Sequence, residues 1–235
     1  MRAIALLLAA TLLLAGCGDE EDGGKLVVLA ASSLAEVAPE LDAGATVVLG
    51  GSNDHAAQLR DGADADVLLS ASAGPVEELR ERGLVEAPEV FAANRLVIVV
   101  PVGNPAGIEH VQDLARSGVK LVLGAPGVPI GDYAREALAG TDAVAQVVSL
   151  EEDVKGVLGK VRLGEADAGI VYATDAKAAG ADVLTVAIPA ARQPQVRYYA
   201  ALVSPPSDAG RAYVERLLGD EGRAVLERAG FLPPP

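Results

Sequence analysis

Short, unbroken apolar blocks that end in small or hydroxyl-bearing residues and then resume at helical spacing most restrict the folds open to this chain. The block opening at Leu26 is too short for an ordinary helix and reads as a buried parallel strand; Ser32-Ser33 follow, one of them expected to cap the next helix. Residues 46–49 repeat the design, ending in Gly50-Gly51-Ser52-Asn53-Asp54 before a helix at 55–60. Residues 66–70, 96–100, 120–123, 147–149, 168–172 and 183–188 read as further strands, with helices at 133–138 and 154–163 among those between them. Strands alternating with helices predict an α/β fold with largely parallel sheets. Each such turn aims the positive end of a helix at the carboxyl end of a strand, which favours anions.

The core has to be aliphatic. Hydrophobic residues make up 51% of the 235, yet the aromatics are five Tyr and two Phe with no Trp, a composition suited to buried parallel strands. That length gives room for one or two domains. A formal net charge of -14 argues against a nucleic-acid partner, which needs a basic face. If the ligand is an anion, local dipoles must overcome an unfavourable overall field.

The first 24 residues stand apart. Arg2 precedes an apolar run, 3–15, that is shorter than the ~20 residues of a spanning helix and reads as a secretory signal peptide. Its end, Leu14-Ala15-Gly16-Cys17, resembles the lipobox of bacterial lipoproteins, which implies that Cys17 is acylated and becomes the first mature residue. Cys17 is the single cysteine, so no internal disulfide is available. Gly18-Asp19-Glu20-Glu21-Asp22-Gly23-Gly24 reads as a flexible tether, and the folded body is expected to begin at Lys25, outside the cytoplasmic membrane. Within the body, Pro101-Val102-Gly103-Asn104-Pro105 is the strongest break and a candidate crossing between lobes. A strand at 198–203 is expected to return to the first lobe. The resulting division is 25–101 with 196–235 as lobe I and 102–195 as lobe II. Pro39 shortens or bends the first helix, 108–116 reads as a helix, and helices at 208–218 and 221–229 close the chain, with Gly230 as the final cap.

Catalytic groupings are thin. Of the two histidines, His110 falls on a surface-type helix, while His55, three residues after Ser52, raises the alternative of a Ser–His hydrolase. Against it, the glycine pair before Ser52 is not matched by the closing glycine of a nucleophile elbow, and no third orienting group is in view. No P-loop, dinucleotide glycine pattern or Cys/His metal spacing occurs. Four turns at presumed carboxyl ends of strands, around Ser33, Ser52, Ile130 and Tyr172, would instead point neutral donors into one crevice, where open α/β sheets bind ligands. Tyr172 can equally be a core tyrosine with a locally satisfied hydroxyl, and Val154 an ordinary first-turn residue.

Five stretches, in this order, resemble the molybdate-binding proteins of bacterial ABC transporters: Ala30-Ala31-Ser32-Ser33-Leu34, Gln58-Leu59-Arg60-Asp61-Gly62-Ala63-Asp64-Ala65-Asp66-Val67, Val128-Pro129-Ile130-Gly131-Asp132-Tyr133-Ala134, Glu152-Asp153-Val154, and Gly169-Ile170-Val171-Tyr172-Ala173-Thr174-Asp175-Ala176. The resemblance covers nearly all of the chain after the tether. It implies a two-lobed periplasmic binding protein of type II, with mixed and parallel sheets, that clamps molybdate or tungstate between its lobes without a charged side chain. It further implies delivery to an ABC transporter permease, no enzymatic activity, no cofactor and a monomeric state. Carried over, the donors fall on the Ser33 hydroxyl and backbone, Ser52, the N–H groups of Ile130 and Val154, and the Tyr172 hydroxyl, with no direct metal ligand. This chain departs from the pattern in the bulk of Ile130, in a short segment between Leu41 and Ala45, and in Asn53-Asp54-His55 after the second serine. Asp54 has to point away from any oxyanion. A tetrahedral dianion offers only acceptors, so hydroxyls and N–H groups satisfy it, whereas the proton of hydrogen phosphate would go unpaired at ~1–3 kcal/mol. Sulfate carries no such proton and is the alternative ligand.

Overall fold

The apolar blocks become the strands of two sheets in a computed structural model that describes residues 25–235. The expected signal peptide, Cys17 and the acidic tether, 18–24, lie outside the described residues. Sheet I runs in the order β2 (Thr46–Gly50), β1 (Val27–Ala31), β3 (Val67–Ser70), β10 (Val196–Leu202), β4 (Glu89–Asn94). Sheet II runs β7 (Val147–Glu151), β6 (Leu121–Gly124), β8 (Ala168–Tyr172), β5 (Leu96–Pro101), β9 (Val183–Ala187). In each sheet three strands are parallel and two more are attached antiparallel: β10 pairs antiparallel with β3 and β4, and β5 with β8 and β9. β3, β6 and β8 are buried at every residue, the reason they read as unbroken apolar runs rather than alternating ones.

The helices are α1 (Ala38–Leu41), α2 (Ser52–Arg60), α3 (Ala73–Glu81), α4 (Pro129–Ala137), α5 (Val154–Arg162), α6 (Ala173–Ala179), α7 (Asp208–Leu218) and α8 (Asp220–Ala229). The first expected helix breaks into a 3-10 turn, Ser32–Leu34, and the single turn α1, where Pro39 occupies the first positions that need no N–H. The expected helix at 108–116 shrinks to a 3-10 segment, Val111–Ala115. Asn104 prevents an earlier start by bonding both the N–H and the carbonyl of Ile108 (3.0 and 2.9 Å), and Asp113 takes the N–H groups of Glu109 and His110 (2.9 and 2.8 Å).

The lobe boundary at 101/102 needs correction. β4, not among the strands expected from the sequence, belongs to sheet I, and β5 belongs to sheet II, so the chain crosses at Arg95, between two consecutive strands. The Pro101–Pro105 break follows β5 within the second lobe. The chain returns to sheet I at β10. The two crossings lie side by side, because the Gln193 side chain accepts from Leu96 N (2.9 Å) and donates to Leu96 O (2.8 Å).

Candidate functional site

Both sheets end at one small cavity between the lobes. Ser33, Ser52, Ile130, Val154 and Tyr172, the five residues picked out from the sequence, all line it, with Ala31, Ser32, Gly50, Gly51, Ala71, Val128, Pro129 and Asp153 completing the wall. Its volume is ≈ 20 Å³, little more than the space one water needs.

Three nine-residue helices, α2, α4 and α5, begin at this wall. First-turn N–H groups have no intrahelical acceptor and carry the positive end of the helix dipole. In α4, Pro129 has no N–H and the first helical bond is made by Asp132 N to Val128 O (3.0 Å), which leaves the N–H groups of Ile130 and Gly131 as the first-turn donors. Ile130 itself is buried, its side chain part of the core. Gly131 is needed for this approach: a Cβ there would lie 2.1 Å from Ala125 O. In α5, Asp153 is the N-cap and its Oδ1 accepts from Gly156 N (2.8 Å), so this carboxylate is spent on its own helix while Val154 opens the first turn. Asp153 is the one acidic residue on the wall. Asp54 is exposed and does not line the cavity.

Neither serine is the helix cap expected of it. Gly51, not Ser52, is the N-cap of α2, and no side-chain cap bond forms at the 3-10 turn carrying Ser32 and Ser33. Their oxygens are engaged by distant donors instead. Ala71 N donates to Ser52 Oγ (3.1 Å), and the Tyr198 hydroxyl donates to Ser33 Oγ (3.0 Å). Each serine therefore has an acceptor position filled and its single proton still to place. Tyr172 stands at the end of β8, 1% exposed, and its hydroxyl has no hydrogen-bond partner among the described residues. The alternative of a locally satisfied core tyrosine is not what the structure places there. Burial, followed by the nearby Tyr198, Tyr133 and Asp175, pushes its phenol well above the usual range, so it stays a protonated donor.

His55 does not pair with Ser52. Its Nε2 lies 3.1 Å from Ala30 O and its Nδ1 3.1 Å from Gln58 Oε1, which holds the ring in place beneath Gly50 and leaves no nucleophile–base contact. His110 is exposed at the start of the 3-10 segment. Features absent from the sequence reading surround the site. Asn53 Nδ2 donates to Gly127 O across the cleft (2.7 Å), and a Cβ on Gly51 would lie 3.1 Å from Glu152 O of the other lobe. Behind the site, buried Asp175 has Lys155 Nζ 2.9 Å from Oδ1, close enough for an ion pair but without directed hydrogen-bond geometry at either oxygen. Asn94, Tyr198 and this pair could not be found by motif spacing, since their partners lie far along the chain.

Comparisons with known proteins agree with this geometry. A family model described as bacterial extracellular solute-binding protein matches residues 28–232. The molybdate-binding protein ModA of Mycobacterium tuberculosis is 35% identical over 231 residues, covering 92% of this chain and 88% of that protein. The Escherichia coli protein of the same name is 28% identical, covering 89% and 90%. The periplasmic molybdate-binding protein of Azotobacter vinelandii superposes with a TM-score of 0.76 over 90% of this chain and 100% of that one; at 20% identity the likeness is one of fold. The chain belongs to the bacterial extracellular solute-binding proteins and, within them, to the family of molybdate-binding proteins of ABC transporters.

Proposed function

We propose that this solute-binding protein captures molybdate or tungstate in the interlobe cavity, through the Ser33 and Ser52 hydroxyls, the N–H groups of Ile130 and Val154 and the Tyr172 hydroxyl, and passes it to an ABC importer. The observation that carries this reading is the Tyr172 hydroxyl, buried on the cavity wall without a partner among the described residues: a donor kept without an acceptor is costly unless a ligand supplies one. The wall offers neutral donors from both lobes, one oxygen of its single carboxylate is held by Gly156 N, and three helix N-termini add positive potential inside a chain of net charge -14. Donors on both lobes make the ion the bridge that holds them together. The relatives named molybdate-binding proteins support the same ligand. Attachment by a lipid on Cys17 and a monomeric working state are part of this proposal; a Bacillus subtilis relative, 29% identical, is named a putative ABC transporter substrate-binding lipoprotein.

Isothermal titration of the purified body with molybdate, tungstate, sulfate and phosphate tests the reading. Molybdate and tungstate should bind and raise the melting temperature, as a ligand selective for the folded form does, and phosphate should do neither. Sulfate shares the all-acceptor surface of molybdate and is the competing reading; tighter binding of sulfate than of molybdate would replace the ligand and keep the site. Response to amino acids or sugars alone would end it.

A further inference from the structure

The functional reading makes Ser33 a donor to the anion, and the role assigned to its neighbours rests on that reading. A serine hydroxyl has one proton and can give it to whichever acceptor is near. Ser33 Oγ lies 3.0 Å from the Tyr198 hydroxyl, both buried, and distance alone does not say which of the two donates. The answer is fixed one residue from the lobe crossing. Arg95 N donates to Asn94 Oδ1 (2.9 Å), so the other end of that amide, Nδ2, faces Thr174 Oγ1 at 2.9 Å and, at a longer 3.5 Å, the Tyr198 hydroxyl. An amide NH2 only donates. The Tyr198 oxygen is therefore on the accepting side of Asn94, and Ser33 Oγ is its one other hydrogen-bond partner among the described residues, so its proton goes there. Burial keeps the Tyr198 phenol protonated far above neutral pH.

We infer that Asn94 and Tyr198 are positioning residues that set the polarity of Ser33: by filling an acceptor position on its oxygen they direct its proton into the cavity, and they thereby discriminate against oxyanions that arrive with a proton of their own. Ser52 receives the same treatment from the backbone, through Ala71 N. A peptide N–H cannot reverse its role, whereas a tyrosine hydroxyl can, so the first serine needs the amide behind the phenol and the second needs nothing more. The device spans 165 residues of sequence between Ser33 and Tyr198 and is invisible to motif matching.

The test is a double-mutant cycle read by calorimetry with molybdate and with hydrogen phosphate as probes. Tyr198→Phe keeps the ring in its edge contacts with Tyr172, Phe91 and Phe231 and removes the proton that Ser33 accepts. Molybdate affinity should fall about two- to tenfold, the range of one net hydrogen bond, and the molybdate-to-phosphate preference should narrow. In a Ser33→Ala background the same change should alter molybdate affinity by less than about twofold, because the route runs through Ser33. A role confined to packing would lower the melting point without touching the preference, and would add in full to Ser33→Ala; either result overturns the proposal. Should Tyr198→Phe fail to fold, Asn94→Leu frees the acceptor position on the Tyr198 oxygen, so that Ser33 can donate to it, while leaving the tyrosine in place: a narrowed preference supports the relay, an unchanged one refutes it. A wild-type chain that binds no oxyanion removes the functional reading itself, whereas wild-type binding with an additive cycle removes only the relay.

Discussion

Replacing Tyr172 by Phe separates a ligand donor from a core tyrosine, because the two roles predict opposite stabilities. The ring is held edge-on between Tyr133 and Tyr198, with centroids 6.5 and 5.8 Å away, and Phe retains both contacts. What is lost is one hydroxyl that has no acceptor among the described residues. A hydrogen bond to a charged group contributes ~1.5–3 kcal/mol, so molybdate affinity should drop roughly tenfold to a hundredfold at ~1.4 kcal/mol per factor of ten. Without ligand the variant should be as stable as the parent or more so, since an unpartnered buried polar group costs ~1–3 kcal/mol; each kcal/mol is worth ~2–4 °C in a chain of this size. Titration calorimetry and ligand-free melting curves on the same preparations give both numbers. Unchanged affinity together with a fall of several degrees would show that the hydroxyl is structural and that the site has been placed around the wrong group.

Ser52→Ala should lose both affinity and stability, the latter by ~1–3 kcal/mol in denaturant titration, because the buried Ala71 N–H is left without its acceptor; wild-type stability would refute this. Ile130→Ala should bind molybdate within about threefold of wild type, since only its N–H is used, whereas Gly131→Ala, whose Cβ would meet Ala125 O at 2.1 Å, should abolish binding or folding; equal behaviour of the two in calorimetry and circular dichroism would contradict the helix-start assignment. Asp175 carries a pH signature: burial raises its pKa above the ordinary 3.8, Asp153 and Glu36 push the same way, and Lys155 only partly offsets them. For a group raised on folding, the stabilisation is complete below the unfolded pKa and is lost as pH rises through the folded one. Asp175→Asn should therefore gain stability relative to wild type as pH rises from about 4 towards neutrality, measured by urea unfolding at several pH values; a pH-independent difference would sink the argument.

Four of the five cavity positions, around Ser33, Ser52, Ile130 and Tyr172, were legible because βα turn chemistry is local: a strand end, a small or hydroxyl residue and a helix start lie within a few positions of one another; Val154 and the individual donor roles came from the family resemblance. Where a side chain serves a distant partner, that locality fails. Ser33 and Ser52 look like caps by spacing, yet their oxygens accept from Tyr198 and from Ala71, and the caps fall to backbone instead. The misplaced lobe boundary has the same origin. β4 is an edge strand, half buried, whose apolar stretch Val90-Phe91-Ala92-Ala93 is short, half alanine and flanked by Glu89 and Asn94, and the crossing at Arg95 contains neither Gly nor Pro to mark it. Its pairing partner, β10, lies about a hundred residues on, beyond the reach of any windowed pattern.

The hydrogen bond from Asn53 to Gly127 and the close pass of Gly51 over the Glu152 carbonyl join the two lobes beside the cavity through groups that are not among its donors. If an ion leaves by parting of the lobes there, its residence time depends both on how rarely they part and on how readily the ion then departs. The wall donors and the Asn53 clasp then act on affinity by different routes, the donors by binding the ion and the clasp by shifting the balance of open and shut. A partner that holds the Gly127 loop away from Asn53 would empty the site faster without having to compete with any donor for the oxyanion.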